Sequence, residues 1–300
     1  MLIPIAVDVP MERRPYANWA IMAVAIVCYV MQEAVWDVDI SSPFVLGNGP
    51  LSYLTHMFLH AGPLHLAGNM LFLWVFGNAI CAKVGNAAYV PLYLALGVLS
   101  AGVHMLFDGG PAVGASGAIN GIVGVFLLWY PINDISCLYF FWIFVIIRGG
   151  RFEARAFWLI LLWLLFDVLG AYSGRGGTAY FAHLGGFFSG AAIGLVLLLT
   201  GRVVMHYYEI SLPVALGLME APPRPRASTD RVFGAYGVST PEAPLPPFQP
   251  RPAASADVEG DGVRFRCRCG RMLLAPAALA GKVSRCPHCN AQLQVPEYEV

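Results

Sequence analysis

Charge is scarce in this chain: Asp, Glu, Lys and Arg make up only 12% of its 300 residues, whereas hydrophobic residues make up 58%. Both values lie outside the range that is typical of soluble globular domains. The first residues, Met1–Arg14, also lack the apolar core of a cleavable signal peptide, so none is expected. These shortages argue against a soluble protein and indicate an integral membrane protein.

Long apolar runs account for this composition, because about 20 consecutive apolar residues are needed to cross a bilayer. Six candidate spans are present: Asn18–Val35, Leu64–Ala82, Ala87–Leu106, Ala118–Tyr130, Ala156–Tyr172 and Ala179–Thr200. A seventh run, Ile135–Ile147, is too short to cross and is rich in aromatic and β-branched residues, so we expect an interfacial or partly inserted loop. The sequence thus predicts an all-α polytopic membrane protein, a bundle of six transmembrane helices.

The distribution of basic residues indicates how the bundle is oriented. Six spans place both termini on one side, and the stretches on that side hold Arg13, Arg14, Lys83, Arg148, Arg151, Arg155 and Arg202. The loops on the other side hold only Arg175, beside Asp37, Asp39 and Asp108. Because basic loops stay in the cytoplasm, both termini are predicted to be cytoplasmic, with the plasma (inner) membrane of a bacterium as the expected location.

Composition also divides the chain into segments. Residues 1–16 form a cytoplasmic N-terminal segment, residues 17–205 the membrane domain, and residues 263–300 a small second domain. Between the last two, residues 206–262 carry ten prolines and no sustained periodicity. We expect this stretch to be a flexible, Pro-rich linker.

The seven cysteines separate into two groups. Cys28, Cys81 and Cys137 are scattered through apolar sequence and are interpreted as packing residues. The other four cluster in the predicted cytoplasmic tail as Cys267-Arg268-Cys269 and Cys286-Pro287-His288-Cys289. Four thiolates on two tight turns can close a tetrahedral zinc site, and a domain this small needs such a cross-link to fold. The tail therefore resembles a zinc ribbon with a structural zinc ion, and iron or a redox pair is the alternative.

The basic residues of the tail do not identify the partner that the tail binds. They could contact nucleic acid or acidic lipid head groups, but such charge more often only solvates a small domain. We expect an unknown cytoplasmic partner for the ribbon, and nucleic acid is not expected.

The fourth span is too short for the bilayer and begins next to a serine. Residues 118–130 would form a helix roughly 20 Å long, against about 30 Å for the hydrocarbon core. If this helix ends at the inner surface, it begins inside the membrane, and the preceding Gly114-Ala115-Ser116-Gly117 lies in a loop that dips into the bilayer. Ser116 is therefore a candidate functional residue.

A serine needs a base to become a nucleophile, and His183 is the candidate base. His183 shares a helix face with Gly186, Gly190 and Gly194, and the helix after Ser116 carries Gly117, Gly121 and Gly124. Small residues at this spacing let two helices approach closely enough to bring Ser116 and His183 within hydrogen-bonding distance. The alternative is that the glycines serve packing only and His183 merely caps a span.

His65 and Asn69 lie one turn apart at the outer end of the second span and could stabilise negative charge on a reacting carbonyl oxygen. A metal site is the competing interpretation, because His56 and His60 are close in sequence to His65. Their spacing crosses an aromatic-apolar loop and includes no carboxylate. Structural hydrogen bonding is the simpler role for His56 and His60.

Three motifs in order make the chain resemble the rhomboid family of intramembrane serine proteases: FLHAGPLHLAGNMLFLWVFGN at 58–78, VGASGAINGIVG at 113–124, and AHLGGFFSG at 182–190. The resemblance covers about residues 15–200. It implies that Ser116 is the nucleophile and His183 its base, a dyad without a carboxylate. It further implies an oxyanion hole of His65, Asn69 and the backbone N–H of Ser116, a tight loop shaped by Gly114 and Gly117, and no cofactor for catalysis.

By the same resemblance the substrates are transmembrane proteins within the lipid, cut in or near helices that unwind easily. Two departures from the family pattern stand out: Asn78 where an acidic residue is common, and Asp167 in a span where a glutamine often follows Trp163. We expect neither to contact the dyad, and without a carboxylate we expect a slow enzyme. The rival interpretations are a non-catalytic relative that binds client helices, and a transporter, for which no paired intramembrane charges are evident.

Overall fold

The computed structural model describes residues 2–35, 38–143, 146–174 and 177–223, and in the C-terminal part residues 257–259, 262–266, 272–276, 279, 281–286 and 292–295. The chain divides into two compact units, Met1–Arg226 and Ala227–Val300.

The first unit is mostly helical. Its helices are α1 (Tyr16–Ala34), α2 (Ser52–Thr55), α3 (Pro63–Phe72), α4 (Asn78–Val84), α5 (Asn86–Phe107), α6 (Ser116–Trp129), α7 (Ala156–Ser173), α8 (Tyr180–Leu199) and α9 (Leu212–Ala215). A π-helical turn, Leu73–Gly77, joins α3 to α4, so that Pro63–Val84 is one continuous helical segment. In the described part of the chain, five helical segments are long and apolar enough to cross a membrane: α1, Pro63–Val84, α5, α7 and α8. The remaining predicted span, the fourth along the chain, corresponds to α6, and the count of six crossings stays a prediction.

Helix α6 is the short helix that the sequence predicts, and it begins at Ser116 itself. Its 14 residues span roughly 21 Å, less than the thickness of the hydrocarbon core. Nearly all its side chains are buried, including those of Phe126 and Trp129. A helix that is apolar on every side is stable only when neighbours surround it, so α6 is the central helix of the unit.

A three-stranded antiparallel sheet corrects the all-α prediction. Strand β2 (Asp134–Ile143) pairs with β3 (Ile146–Arg155) on one side and with β1 (Leu2–Val7) on the other. The run expected to be an interfacial loop is thus mainly strand, which agrees with its aromatic and β-branched residues. The first six described residues, which lie in the predicted cytoplasmic N-terminal segment, form one edge strand of this sheet.

Asn78, one of the two residues that depart from the family pattern, belongs to a buried polar cluster. Asn78 Oδ1 accepts hydrogen bonds from Asn18 Nδ2 at 2.8 Å and from Trp19 Nε1 at 3.1 Å. Asn18 Nδ2 also donates to the carbonyl of Leu73, where the π-helical turn begins, and Tyr89 Oη donates to Asn18 Oδ1. An acceptor is all that this position needs, and the amide oxygen of Asn78 supplies it.

Beyond α8 the chain stays packed against the helices. Glu209 and Ser211 are buried, as is Pro213 in α9. The predicted boundary at residue 205, and the linker and tail boundaries after it, stay predictions.

The described residues of the second unit lie mainly in short strands. Strands β4 (Asp257–Glu259), β5 (Gly262–Arg266) and β6 (Met272–Pro276) form one antiparallel sheet, and β7 (Val283–Arg285) pairs with β8 (Gln292–Gln294). Among the described residues of this unit, Phe265, Ala275 and Val295 are buried together.

Candidate active site

Helices α6 and α8 are in contact along their glycines, as the spacing predicts. A Cβ atom placed on Gly186 would lie 2.0 Å from the carbonyl oxygen of Gly117, and one on Gly190 would lie 1.9 Å from that of Gly121. In the other direction, a Cβ on Gly124 would lie 2.2 Å from the carbonyl oxygen of Phe187. The two backbones therefore touch, with no room for a side chain between them.

This contact brings Ser116 and His183 together. Ser116 is the first residue of α6, and His183 lies one turn into α8. Ser116 Oγ lies 2.9 Å from His183 Nε2, within the range of an O–H···N hydrogen bond. The pair has the geometry of a nucleophile and its base, and the catalytic roles themselves stay predictions.

The expectation that Asp167 does not contact this pair is wrong. Asp167 Oδ1, on α7, lies 2.9 Å from His183 Nδ1, on the opposite edge of the imidazole from Ser116. A signal for this contact was present in the sequence, because a carboxylate inside an apolar span is costly unless it has a partner. The span does not reveal which way Asp167 points, since apolar residues surround it on all sides of the helix.

The contact with Asp167 also favours one tautomer of the imidazole. A carboxylate can only accept hydrogen bonds, so we assign the donor role to His183 Nδ1. In a neutral ring Nε2 is then unprotonated and can accept the Ser116 hydroxyl proton. This is the tautomer that a general base needs.

The loop before Ser116 has a conformation that requires glycine at position 114. Gly114 has φ +122°, and a Cβ there would lie 2.7 Å from His65 Cε1 and 3.7 Å from Asn69 Nδ2. The N–H of Gly114 donates to the carbonyl of His56 at 2.8 Å, which ties the loop to the segment before α3. The glycine thus allows the two predicted oxyanion residues to approach the serine loop. Gly117, the second predicted loop residue, lies in the first turn of α6, where a Cβ would lie 1.8 Å from Ser100 Oγ.

A cavity of about 760 Å³ opens onto these groups, and its lining includes His65, Asn69, Ser116 and His183. Asn69 Nδ2 is buried and has no hydrogen-bond partner among the described residues. The first N–H groups of a helix also lack partners within the helix, and that of Ser116 opens α6. Donors are therefore available where an oxyanion would form, although the oxyanion roles of His65, Asn69 and Ser116 stay predictions.

The remaining histidines do not form the alternative metal site within the described residues. His56 is buried, with Nδ1 2.8 Å from the carbonyl of Ser52. His60 is buried beside His65, their ring centroids 5.3 Å apart. Among the residues that the structure describes, no group of three His, Cys, Asp or Glu side chains could hold a metal ion.

Of the four predicted zinc ligands, Cys267, Cys269 and Cys289 lie outside the described residues. Cys286 is described and buried, immediately after β7. The zinc site therefore stays a prediction.

Comparison with known proteins shows the family of the chain. Residues 48–200, which contain every predicted catalytic and oxyanion residue, match the Rhomboid domain family. The chain is similar to Rhomboid protease GlpG of Salmonella paratyphi A, with 26% identity over 197 residues, 64% of this chain and 66% of that protein. It is similar to Rhomboid protease GlpG of Klebsiella pneumoniae, with 27% identity over 195 residues, 62% of this chain and 64% of that protein. The chain thus covers slightly less than two-thirds of the length of these relatives.

Proposed function

The chain belongs to the rhomboid family, and on that premise we propose that it is an intramembrane serine endopeptidase, which hydrolyses peptide bonds in or near transmembrane helices of other membrane proteins. The observation that carries the proposal is the 2.9 Å contact between Ser116 Oγ and His183 Nε2, at the wall of a large cavity. Family membership and five long apolar helices make the chain a multi-pass integral membrane protein.

The proposed reaction assigns one task to each residue. Ser116 Oγ attacks the carbonyl carbon of the scissile bond while its proton passes to His183 Nε2. Asn69, His65 and the N–H of Ser116 donate to the oxygen that becomes negative. His183 then gives the proton to the leaving nitrogen as the C–N bond breaks, and a water molecule attacks the acyl-enzyme in the same way.

The substrate class follows from the bilayer. A helix in lipid satisfies its own backbone hydrogen bonds, so it must unwind before an extended segment can reach Ser116. Substrates are therefore transmembrane helices with a Gly, Pro or polar break, and a small residue before the cut is the proposed preference. Water for hydrolysis reaches the cavity from the side on which α6 begins.

The proposal also covers the orientation of the chain in the membrane and the role of its C-terminal tail. The distribution of Arg and Lys supports cytoplasmic N- and C-termini in a bacterial inner membrane. The four tail cysteines support a zinc ribbon that binds an unknown cytoplasmic partner and takes no part in the chemical step. Lipid is the surrounding solvent, and nucleic acid is not proposed as a partner.

The experiment compares wild type with Ser116→Ala and His183→Ala in liposomes that contain a fluorogenic transmembrane substrate. Both variants should lose cleavage while their unfolding midpoints in detergent stay close to that of wild type. Ser41→Ala is the matched control, since Ser41 is exposed and hydrogen-bonds within its own loop to Asp39. A fluorophosphonate probe should label wild type and the control, but not Ser116→Ala.

A second candidate function is a non-catalytic protein that holds client helices in the same cavity. It predicts that Ser116→Ala binds client helices as wild type does, with no cleavage by either. Wild type that binds helices, is not labelled by the probe and cuts no substrate would favour this alternative.

A further inference from the structure

Asp167 is the one acidic residue of α7, a helix whose other residues are apolar, aromatic, Gly or Ser. Its side chain is 16% exposed and that of His183 is 15% exposed. A largely buried carboxylate is unfavourable unless it is paired, and the partner given by the structure is His183 Nδ1. The pairing therefore needs an explanation beyond helix packing.

A second contact from α7 points to the same histidine. Gly170, one turn after Asp167, faces the ring of Tyr180, where a Cβ on the glycine would lie 2.3 Å from Cε1. The Tyr180 ring in turn stands at 79° to the His183 ring, with centroids 6.3 Å apart. Helix α7 thus supports the imidazole directly through Asp167 and indirectly through Tyr180.

We propose that Asp167 is a positioning residue for His183, so that this chain works with a Ser116–His183–Asp167 triad rather than an unsupported dyad. The proposal rests on the proposed protease function and deepens it. Its first part is orientation: the carboxylate holds the proton on Nδ1 and aims the lone pair of Nε2 at Ser116 Oγ. The dyad without a carboxylate, which the resemblance implies, is thus replaced by a pair with a specific orienting contact.

The second part of the proposal is that Asp167 stabilises the positive charge that His183 acquires during the reaction. When the Ser116 proton moves to Nε2 as the Oγ–carbon bond forms, the ring becomes an imidazolium 2.9 Å from a carboxylate. The proton later leaves from Nε2 to the departing nitrogen, so Asp167 neither gains nor loses a proton. Stabilisation that exists only while the ring is charged lowers the barrier without tightening substrate binding.

The test is Asp167→Asn, which keeps the shape and removes the charge. An amide can donate to Nδ1 and so favours the wrong tautomer. We expect kcat to fall by about 10²- to 10⁴-fold, the usual contribution of general acid–base catalysis, with KM within about twofold of wild type. Asp134→Asn is the matched control, because the Asp134 side chain is 40% exposed and pairs with Arg155 at the start of β2.

If Asp167 acts only through His183, replacing Asp167 should not change the cleavage rate further once His183 is absent. The Asp167→Asn/His183→Ala double variant should therefore cut no more slowly than His183→Ala. A purely structural ion pair between α7 and α8 predicts a different result: a lowered unfolding midpoint, with kcat unchanged in the molecules that remain folded.

A further measurement does not depend on cleavage. In protein labelled with ¹⁵N-histidine, the signal missing from His183→Ala identifies His183, and in wild type it should report a proton on Nδ1. A proton on Nε2 in wild type would overturn the proposal, even if Asp167→Asn failed to fold. Unchanged kcat in a folded Asp167→Asn would overturn it as well.

These outcomes separate the two claims. Wild type that cuts nothing and escapes the fluorophosphonate counts against the proposed function. Wild type that cuts, with Ser116→Ala inactive and Asp167→Asn fully active, removes only the role of Asp167.

Discussion

Lys83 Nζ lies 2.5 Å from Glu209 Oε2, and their side chains are only 5% and 3% exposed. The pair joins the end of α4 to the segment after α8, across 126 residues of sequence. Glu12 Oε1 also lies 3.5 Å from Lys83 Nζ, and Glu209 Oε2 accepts from the N–H of His206 at 2.7 Å. The segment that follows the last long helix is therefore fixed to the bundle by charge.

Glu209→Gln should lower the unfolding midpoint in detergent, because breaking a buried pair from one side costs about 3–5 kcal/mol, and Glu12 at 3.5 Å offsets only part of this. Glu220→Gln, at an exposed position, is the control. Adding Lys83→Met to Glu209→Gln should recover part of the loss, since the buried charge then disappears. A Glu209→Gln midpoint equal to that of the control would contradict the role assigned to the pair.

The contact between Lys83 and Glu209 also predicts how C-terminal truncation affects stability. A chain that ends after residue 226 should keep both stability and cleavage, because it keeps Glu209 and α9. A chain that ends after residue 205 should be less stable, since it leaves Lys83 without its nearest partner. Cleavage assays and thermal melts of the two truncated proteins test this, and equal midpoints would refute it.

Gly190→Ala should reduce cleavage although residue 190 carries no reactive group. Its Cβ would lie 1.9 Å from the carbonyl oxygen of Gly121, so α8 must move away from α6 and stretch the contact between Ser116 and His183. A displacement of about 1 Å can cost on the order of 10²-fold in rate. In Gly102→Ala, the control on α5, the new Cβ has no atom within 4 Å. Normal turnover in Gly190→Ala would show that the helices tolerate separation.

Asn69→Ala should lower kcat with little change in KM. The buried Nδ2 of Asn69 has no hydrogen-bond partner among the described residues, so its donor is available for an oxyanion that forms only during reaction. Losing one such donor typically costs about 10²–10³ in kcat. Steady-state kinetics distinguish the outcomes: a raised KM at constant kcat would make Asn69 a substrate-binding residue.

The full-length protein should contain one equivalent of zinc, measured by elemental analysis after dialysis. Cys286→Ser/Cys289→Ser should lose the metal while cleavage of a transmembrane substrate continues, because a closed four-thiolate site has no open position for catalysis. Cys28→Ser, in α1, is the control and should keep the zinc. A metal-free wild type with an ordered tail would refute the ribbon.

Local spacing was enough to predict part of the site. Glycines four residues apart indicated which faces of α6 and α8 meet, and the structure places them in contact. The length of the fourth apolar run indicated a short helix over residues 118–130, just after Ser116, and α6 begins at Ser116 itself. These features are readable because each depends on residues within one helix.

Contacts between distant segments were not readable in the same way. Asp167 meets His183 only because α7 is rotated to face α8, and a helix that is apolar all round carries no periodicity that reveals its rotation. The pairing of β1 with β2 joins residues 2–7 to residues 135–139. No local pattern specifies a partner so far along the chain.

That strand pairing also constrains the path of the chain through the bilayer. Strands that exchange hydrogen bonds lie on one side of the membrane, so the chain between β1 and β2 must cross it an even number of times. Three intervening segments are long enough to cross: α1, Pro63–Val84 and α5. If these three cross, then α6 and the loop that leads down to it must complete a fourth passage. The even number of crossings, rather than hydropathy, then requires α6 to be a crossing although it is shorter than the other three segments. Its first residue, Ser116, then lies part-way through the bilayer.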